Sequence, residues 1–145
     1  MIQYEKIIEI IMKNYTNIFY WIAMIALLVW FAYSKGWILA NFKSISAEQA
    51  YNLVMNDKNV TLLDVRTIDE FNSHHVKDAQ LIPLGVLEKN LAKIQAIKDK
   101  SILVYCQTGR RSVSASRILE NNGFIPINID GGIIAMKHVG FNIIK

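Results

Sequence analysis

The sequence predicts an α/β domain with a central parallel sheet, preceded by one N-terminal transmembrane helix. Three observations predict it. Asn14 to Ser34 is a run of 21 residues without a charge, bounded by Lys13 and Lys35. From Lys43 to the C-terminus, short apolar runs alternate with segments of helical periodicity, as strands and helices do in a parallel α/β sheet. Two helix-start signatures, Ser46-Ala47-Glu48-Gln49 and Thr67-Ile68-Asp69-Glu70, fall where that alternation needs them.

In chain order, residues 1–13 form a tail with Ile7, Ile8 and Ile11 at helical spacing, which either extends the next helix or lies along a membrane surface. Residues 14–35 are the membrane span. At about 1.5 Å rise per residue the uncharged part reaches about 31 Å, enough to cross a bilayer core. Tyr15, Tyr20, Trp21, Trp30, Tyr33 and Trp37 lie toward its two ends, as interfacial aromatics do. Gly36 stands where a helix stop is expected. A core helix rarely carries so long an uncharged run. A cleaved signal peptide fits less well, because Glu5 and Glu9 sit in its charged region and Ala32-Tyr33-Ser34 is a poor cleavage site. Residues 36–42 are a short linker without a Gly/Ser-rich spacer, so residues 43–145 form a domain close to the bilayer.

In that domain the first capping box opens a helix to about Asn56, and Asn59 to Val65 reads as a buried strand. The second box opens a short helix fading near Ser73, followed by a strand around Gln80 to Ile82. Leu87, Leu91, Ile94 and Ile97 mark an amphipathic helix. Ile102 to Tyr105 is the next strand, Val113 to Asn122 a helix closed by Gly123, and Ile125 to Ile129 another strand. Asp130-Gly131-Gly132 is a tight turn before a last helix, Ile133 to His138.

Composition excludes several roles. The domain carries 13 Lys and Arg against 10 Asp and Glu, a net +3, with no basic run interleaved with aromatics, so nucleic acid is not an expected partner. Cys106 is the only cysteine, which rules out an internal disulfide framework. His74-His75 is not read as a metal site, because adjacent side chains diverge and no spaced third ligand follows. No metal and no cofactor are expected.

The chemistry concentrates in Ser101 to Ser112. An apolar strand runs straight into Cys106, and then come Gln107, Thr108, Gly109, Arg110, Arg111 and Ser112 at a helix start. A strand, a short Gly-containing loop and a helix start make an anion cradle, because the loop and first-turn N–H groups converge on one point. A cysteine at its mouth meets the helix dipole and two arginines, which favour an anionic sulfur. Asp64 and Arg66 end a strand where α/β sites collect, and read as an ion pair in which Arg66 is held by Asp64 or Glu70.

These motifs resemble the rhodanese family. Leu63-Asp64-Val65-Arg66, Glu70-Phe71, His75-Val76-Lys77-Asp78-Ala79 and Pro83 look like its first signature. Cys106-Gln107-Thr108-Gly109-Arg110-Arg111-Ser112 looks like its active-site loop, and Asp130-Gly131-Gly132 resembles its C-terminal signature. With the N-terminal span, the whole resembles single-domain, membrane-anchored bacterial rhodanese-like proteins with a three-layer domain. Departures lie at His74 and Asp78, where the family often has glycine, and at Met136, where it usually has tryptophan.

The resemblance implies a thiosulfate sulfurtransferase-like enzyme with Cys106 as the catalytic residue. Gln107, Thr108, Gly109, Arg110, Arg111 and Ser112 would bind substrate, and Asp64, Arg66, Glu70, His75 and Asp130 would support the site. Arg111 would brace the loop or contact an anionic donor. The expected partners are a small sulfur donor, a thiol or cyanide-like acceptor, the membrane through the N-terminal helix, and a protein sulfur acceptor. A non-catalytic sulfur-carrier or protein-docking module is the alternative. A phosphatase or arsenate reductase on the same fold is a further one, disfavoured because only four residues separate Cys106 from Arg111 where the phosphatase relatives have five. Lys6 and Lys13 balance Lys35 and Lys43 across the span. The domain is placed on the cytoplasmic side of the bacterial inner (cell) membrane because persulfide chemistry is easier to sustain where thiols stay reduced.

Overall fold

A computed structural model describes residues 2–145. Helix α1 (Ile2–Ser34) runs without a break through the tail and the uncharged segment. It is long and apolar enough to cross a membrane, and none of its apolar stretch is buried against the rest of the chain. Its end is a Schellman closure: Gly36 N–H donates to Tyr33 O at 3.0 Å and Trp37 N–H to Ala32 O at 3.0 Å. Gly36 takes φ +73° there, a conformation that costs glycine nothing.

The domain strands are β1 (Lys43–Ile45), β2 (Val60–Asp64), β3 (His75–Val76), β4 (Gln80–Leu81), β5 (Ser101–Tyr105), β6 (Ile125–Ile129) and β7 (Ile143–Ile144). Five of them form one parallel sheet in the order β1-β6-β5-β2-β4. The helices are α2 (Ala47–Asn56), α3 (Ile68–Ser73), α4 (Leu84–Leu87), α5 (Arg110–Asn121) and α6 (Gly132–His138). Both capping boxes form, with Ser46 and Gln49 exchanging bonds at the start of α2 and Thr67 and Glu70 at the start of α3. Each satisfies two otherwise orphaned donors, worth about 1 kcal/mol per cap.

The central strand β5 sets the layers, because successive side chains leave a strand on opposite faces. Ile102, Val104 and Cys106 pack with Leu63, Leu87, Ile94 and Leu119 on one face. Leu103 and Tyr105 pack with Ala50, Ile129, Ile133 and Met136 on the other. Ile102 to Tyr105 are fully buried, and each apolar side chain removed from water contributes about 1.5–3 kcal/mol. Burial on both faces explains why β5 is a continuous apolar run.

Three local expectations change. The helix expected through Leu87 to Ile97 is the short α4 followed by a 3-10 segment, Glu88–Ile97, with a kink at Asn90 (φ −118°, ψ 15°). Leu91, Ile94 and Ile97 recur every three residues, which is the 3-10 period, and the single step of four from Leu87 spans the kink. Helix α5 begins at Arg110, three residues before the expected Val113, so both loop arginines and Ser112 belong to its first turn. A small antiparallel pair, His75 to Ile144 and Val76 to Ile143, fastens the C-terminus beside the start of β3 and was not anticipated.

Candidate active site

Cys106 follows the last residue of β5 and is almost wholly buried. Gly109 N–H donates to its Sγ at 3.2 Å. Gly109 has φ +95° and is the N-cap of α5, so the chain turns from strand to helix within three residues of the sulfur. Cys106 therefore lies beside the positive end of the α5 dipole, with the N-cap N–H of Gly109 on its sulfur.

The loop is pinned from behind. Ile133 N–H donates to Cys106 O at 2.8 Å, and Ile134 N–H to Gln107 O at 3.4 Å. The turn Asp130-Gly131-Gly132 makes that approach possible. Gly132 has φ +55°, and a Cβ there would run into Cys106 O and come within 2.7 Å of the Gln107 carbonyl carbon. Gly132→Ala is accordingly expected to cost about 3 kcal/mol through backbone overlap and left-handed strain, and to misplace Cys106. A urea unfolding curve beside a thiol-alkylation rate would check both effects.

The two arginines of the loop have different environments. Arg111 forms a bidentate pair with Glu70, with both N···O distances 2.7 Å. That bond holds the Glu70 carboxyl down at about 2 from an ordinary 4.5, burial opposing and Thr67 assisting. The same pair raises Arg111 further, with the Cys106 sulfur adding a smaller contribution. Arg111 thus braces the loop against α3 while still sensing Cys106. Arg110 is exposed, with its guanidinium 5.3 Å from the Trp30 ring of α1.

The sign of the Glu70 effect gives a pH prediction. Its folded value is depressed, so the pair stabilises above about pH 4.5 and the contribution is lost as pH falls toward about 2. Both side chains are about a third exposed (36% and 31%), so screening keeps the contribution small. Glu70→Gln is expected to flatten that part of the acid-unfolding profile, measured by circular dichroism from pH 5 to 2.

Asp64 and Arg66 are fully buried and pair at 2.7 Å. Asp64 also accepts the Arg66 backbone N–H and Nε–H. Arg66 Nη2 donates to His74 O at 2.7 Å and Nη1 to Gln107 Oε1 at 3.4 Å, so this guanidinium joins β2, the approach to β3 and the cysteine loop. Of the two partners expected for Arg66, Asp64 takes it and Glu70 goes to Arg111. Tyr105 lies beneath, its hydroxyl oxygen accepting Val76 N–H at 3.2 Å. Burial and the Asp64 charge push that hydroxyl's ionisation upward.

His75 stacks on Phe71 at 3.7 Å, and its Nδ1 bonds Phe71 O at 2.9 Å. Neighbouring His74 is held toward its neutral form by burial, with Lys137 and Arg66 adding to the effect. Asp130 accepts from Asn128 at 3.2 Å, and burial raises its carboxyl against the pull of Lys35. Thr108 is exposed at the rim. The Ser112 hydroxyl is buried and shared between Gly109 O at 3.0 Å and Asn128 Oδ1 at 2.7 Å, so it is turned to the scaffold.

A profile of the Rhodanese-like domain matches residues 46–138. The chain belongs to the rhodanese-like domain family. A rhodanese-like domain protein of Staphylococcus aureus of known crystal structure is 31% identical and superposes with a TM-score of 0.63, the match covering 72% of this chain and 100% of that one. The Bacillus subtilis protein YrkF, named for a sulfur-carrier role, is 33% identical over 85 residues, 59% of this chain and 45% of its own. An Escherichia coli tRNA uridine(34) hydroxylase is 35% identical over 88 residues, 57% of this chain and 25% of its own. The chain thus spans less than half the length of these two curated relatives.

The rhodanese domain also contains site residues that the sequence did not single out. Asn128 lies buried in β6 and links Ser112, Asp130 and Ser44, the last at 3.1 Å. The available signal was a polar residue inside the otherwise apolar run Ile125 to Ile129, which a buried strand tolerates only when the amide is bonded. Tyr105 read only as core, and its hydroxyl partner lies 29 residues away in sequence.

Proposed function

We propose that this protein is a membrane-anchored sulfurtransferase in which Cys106 carries sulfane sulfur as a persulfide. The observation that carries the reading is the Gly109 N–H bond to Cys106 Sγ at the N-terminus of α5. A thiolate attacks the outer sulfur of a donor such as thiosulfate. The new S–S bond forms on Cys106, the donor S–S bond breaks, and its electron pair leaves with sulfite. The persulfide anion that remains is stabilised by fixed backbone donors of the loop, which need no reorganisation as charge develops. A thiol or cyanide then attacks the terminal sulfur and returns Cys106 as thiolate.

The phosphatase or arsenate reductase reading is weaker, because the Arg111 fork is committed to Glu70 and is not directed at a tetrahedral oxyanion. The sulfur-carrier alternative uses the same persulfide and differs only in handing it to a protein acceptor; the similarity to YrkF supports keeping it.

Intact-mass spectrometry of the full chain after thiosulfate treatment tests the proposal. The expected result is one added sulfur atom on Cys106, removed by cyanide. A reactive Cys106 thiol that gains no sulfur would overturn it. We further propose single-pass insertion through α1 with the domain facing the cytoplasm. Labelling of Cys106 by a membrane-impermeant alkylating reagent in intact spheroplasts would contradict that placement.

A further inference from the structure

The end of the anchor helix does more than lead into the rhodanese domain. Its last turn is docked on α5, the helix that begins at the cysteine loop. Arg117 Nη2 donates to Tyr33 O at 2.9 Å and to Ile38 O at 3.1 Å, bonding carbonyls on both sides of the α1 stop. Its guanidinium lies 3.8 Å from the Tyr33 ring centroid. Gly36 sits against Val113, where an added Cβ would come within 3.3 Å of a methyl group. One turn nearer the cysteine, Arg110 at the rim of the cradle rests over Trp30.

These contacts fix the height of the cradle relative to the bilayer. Trp30 precedes Ser34 by four residues, about 6 Å along the helix, so the Arg110 rim lies level with the final turn of the uncharged segment. That is the layer where aromatic side chains meet lipid headgroups. On the same flank Lys35 and Trp37 line a cavity of about 140 Å³ with Thr108, Gly109, Asp130 and Gly131. Trp37 and Leu39 are 70% and 83% exposed, an apolar surface that suits the membrane interface and not bulk water. Cations and apolar rings thus border the cysteine loop side by side.

We infer that Arg117 clamps the rhodanese domain to the end of its anchor so that the cradle opens in the headgroup layer and takes sulfur from an amphiphilic anionic donor. The inference rests on the sulfurtransferase reading above and specifies its donor class. Such a donor carries its sulfane sulfur on a charged head, beside Arg110 and Lys35, and an apolar tail in the lipid. An alkyl thiosulfonate has this chemistry. The Cys106 thiolate attacks its outer sulfur, the S–S bond to the sulfonyl group breaks, and the electron pair leaves as alkyl sulfinate. Charge is conserved and no oxidant enters.

The test uses the full chain in lipid nanodiscs, with thiosulfate, methanethiosulfonate and octanethiosulfonate as donors and sulfur transfer to cyanide as the readout. The expected wild-type result is a kcat/KM for the octyl donor at least about tenfold above that for the methyl donor, since each methylene adds partitioning into the interface. Arg117→Ala is expected to reduce that ratio to about twofold while thiosulfate turnover stays unchanged, because Arg117 acts through position and not on the reacting sulfur. Should R117A fail to fold, Arg117→Met carries the same comparison, keeping an aliphatic side chain of similar length while removing both bonds to the Tyr33 and Ile38 carbonyls. An equal preference in wild type and variant, or no preference in wild type, would overturn the inference and leave the sulfurtransferase reading standing. Failure of every donor to form the persulfide would sink both.

Discussion

On the proposed mechanism, Cys106→Ser is expected to lower sulfur transfer from thiosulfate to cyanide by at least about 10³-fold, equivalent to about 4 kcal/mol of lost transition-state stabilisation, and to leave the protein folded. The size of the effect follows from there being no substitute. Cys106 is the only cysteine in the chain, so no second thiol can carry the sulfur. A serine hydroxyl is far from ionised at neutral pH, and no base among the described contacts of Sγ would activate it. Stability changes little because the Gly109 N–H can donate to a serine oxygen in the same place, so the buried group keeps its partner and the change costs about 1 kcal/mol. The measurement is sulfite release together with intact mass. Residual turnover within tenfold of wild type would mean that the sulfur passes through another group, and the persulfide mechanism would have to be abandoned.

The parts of this molecule legible in the sequence are those governed by neighbours along the chain. The capping boxes at Ser46 and Thr67 formed as read, because each is a bond between residues three apart. The α1 stop at Gly36 and the strand leading into Cys106 are equally local. The rest depended on distance in sequence. Glu70 read as an alternative partner for Arg66, yet it serves Arg111, 41 residues away, while Arg66 pairs with Asp64. The β3–β7 pair joins two-residue strands far apart in sequence, too short for any periodicity to show. The start of α5 at Arg110 was missed because Gly and two charges look like loop, whereas Gly109 in the left-handed region lets the helix begin at once. That shift matters for the site, since it places the arginines and Ser112 on the first turn of α5, directly after Gly109, whose N–H bonds the sulfur.

Asp64→Ala is expected to destabilise the domain by about 3–5 kcal/mol, the largest loss foreseen for any single side chain here. Arg66 is fully buried, and Asp64 accepts from its backbone N–H, Nε and Nη2. Without the carboxylate, the buried guanidinium keeps as polar partners only His74 O and a 3.4 Å contact to Gln107. The cost arises mainly from the charge left behind and much less from the bond removed, which makes a second variant decisive. Asp64→Leu combined with Arg66→Met removes both charges and fills similar space, so it should recover most of the stability lost in Asp64→Ala. Urea unfolding of the two variants checks this directly: a double variant no more stable than the single one would show that the pair itself, not the orphaned cation, holds this corner. Activity then separates the two roles open to Arg66. A double variant that is stable and still forms the Cys106 persulfide assigns the pair to the scaffold, joining β2 to the cysteine loop through Gln107. A stable double variant with a raised KM for thiosulfate, and persulfide formation restored at saturation, would instead mean that Arg66 reaches the anionic donor when it enters the cradle.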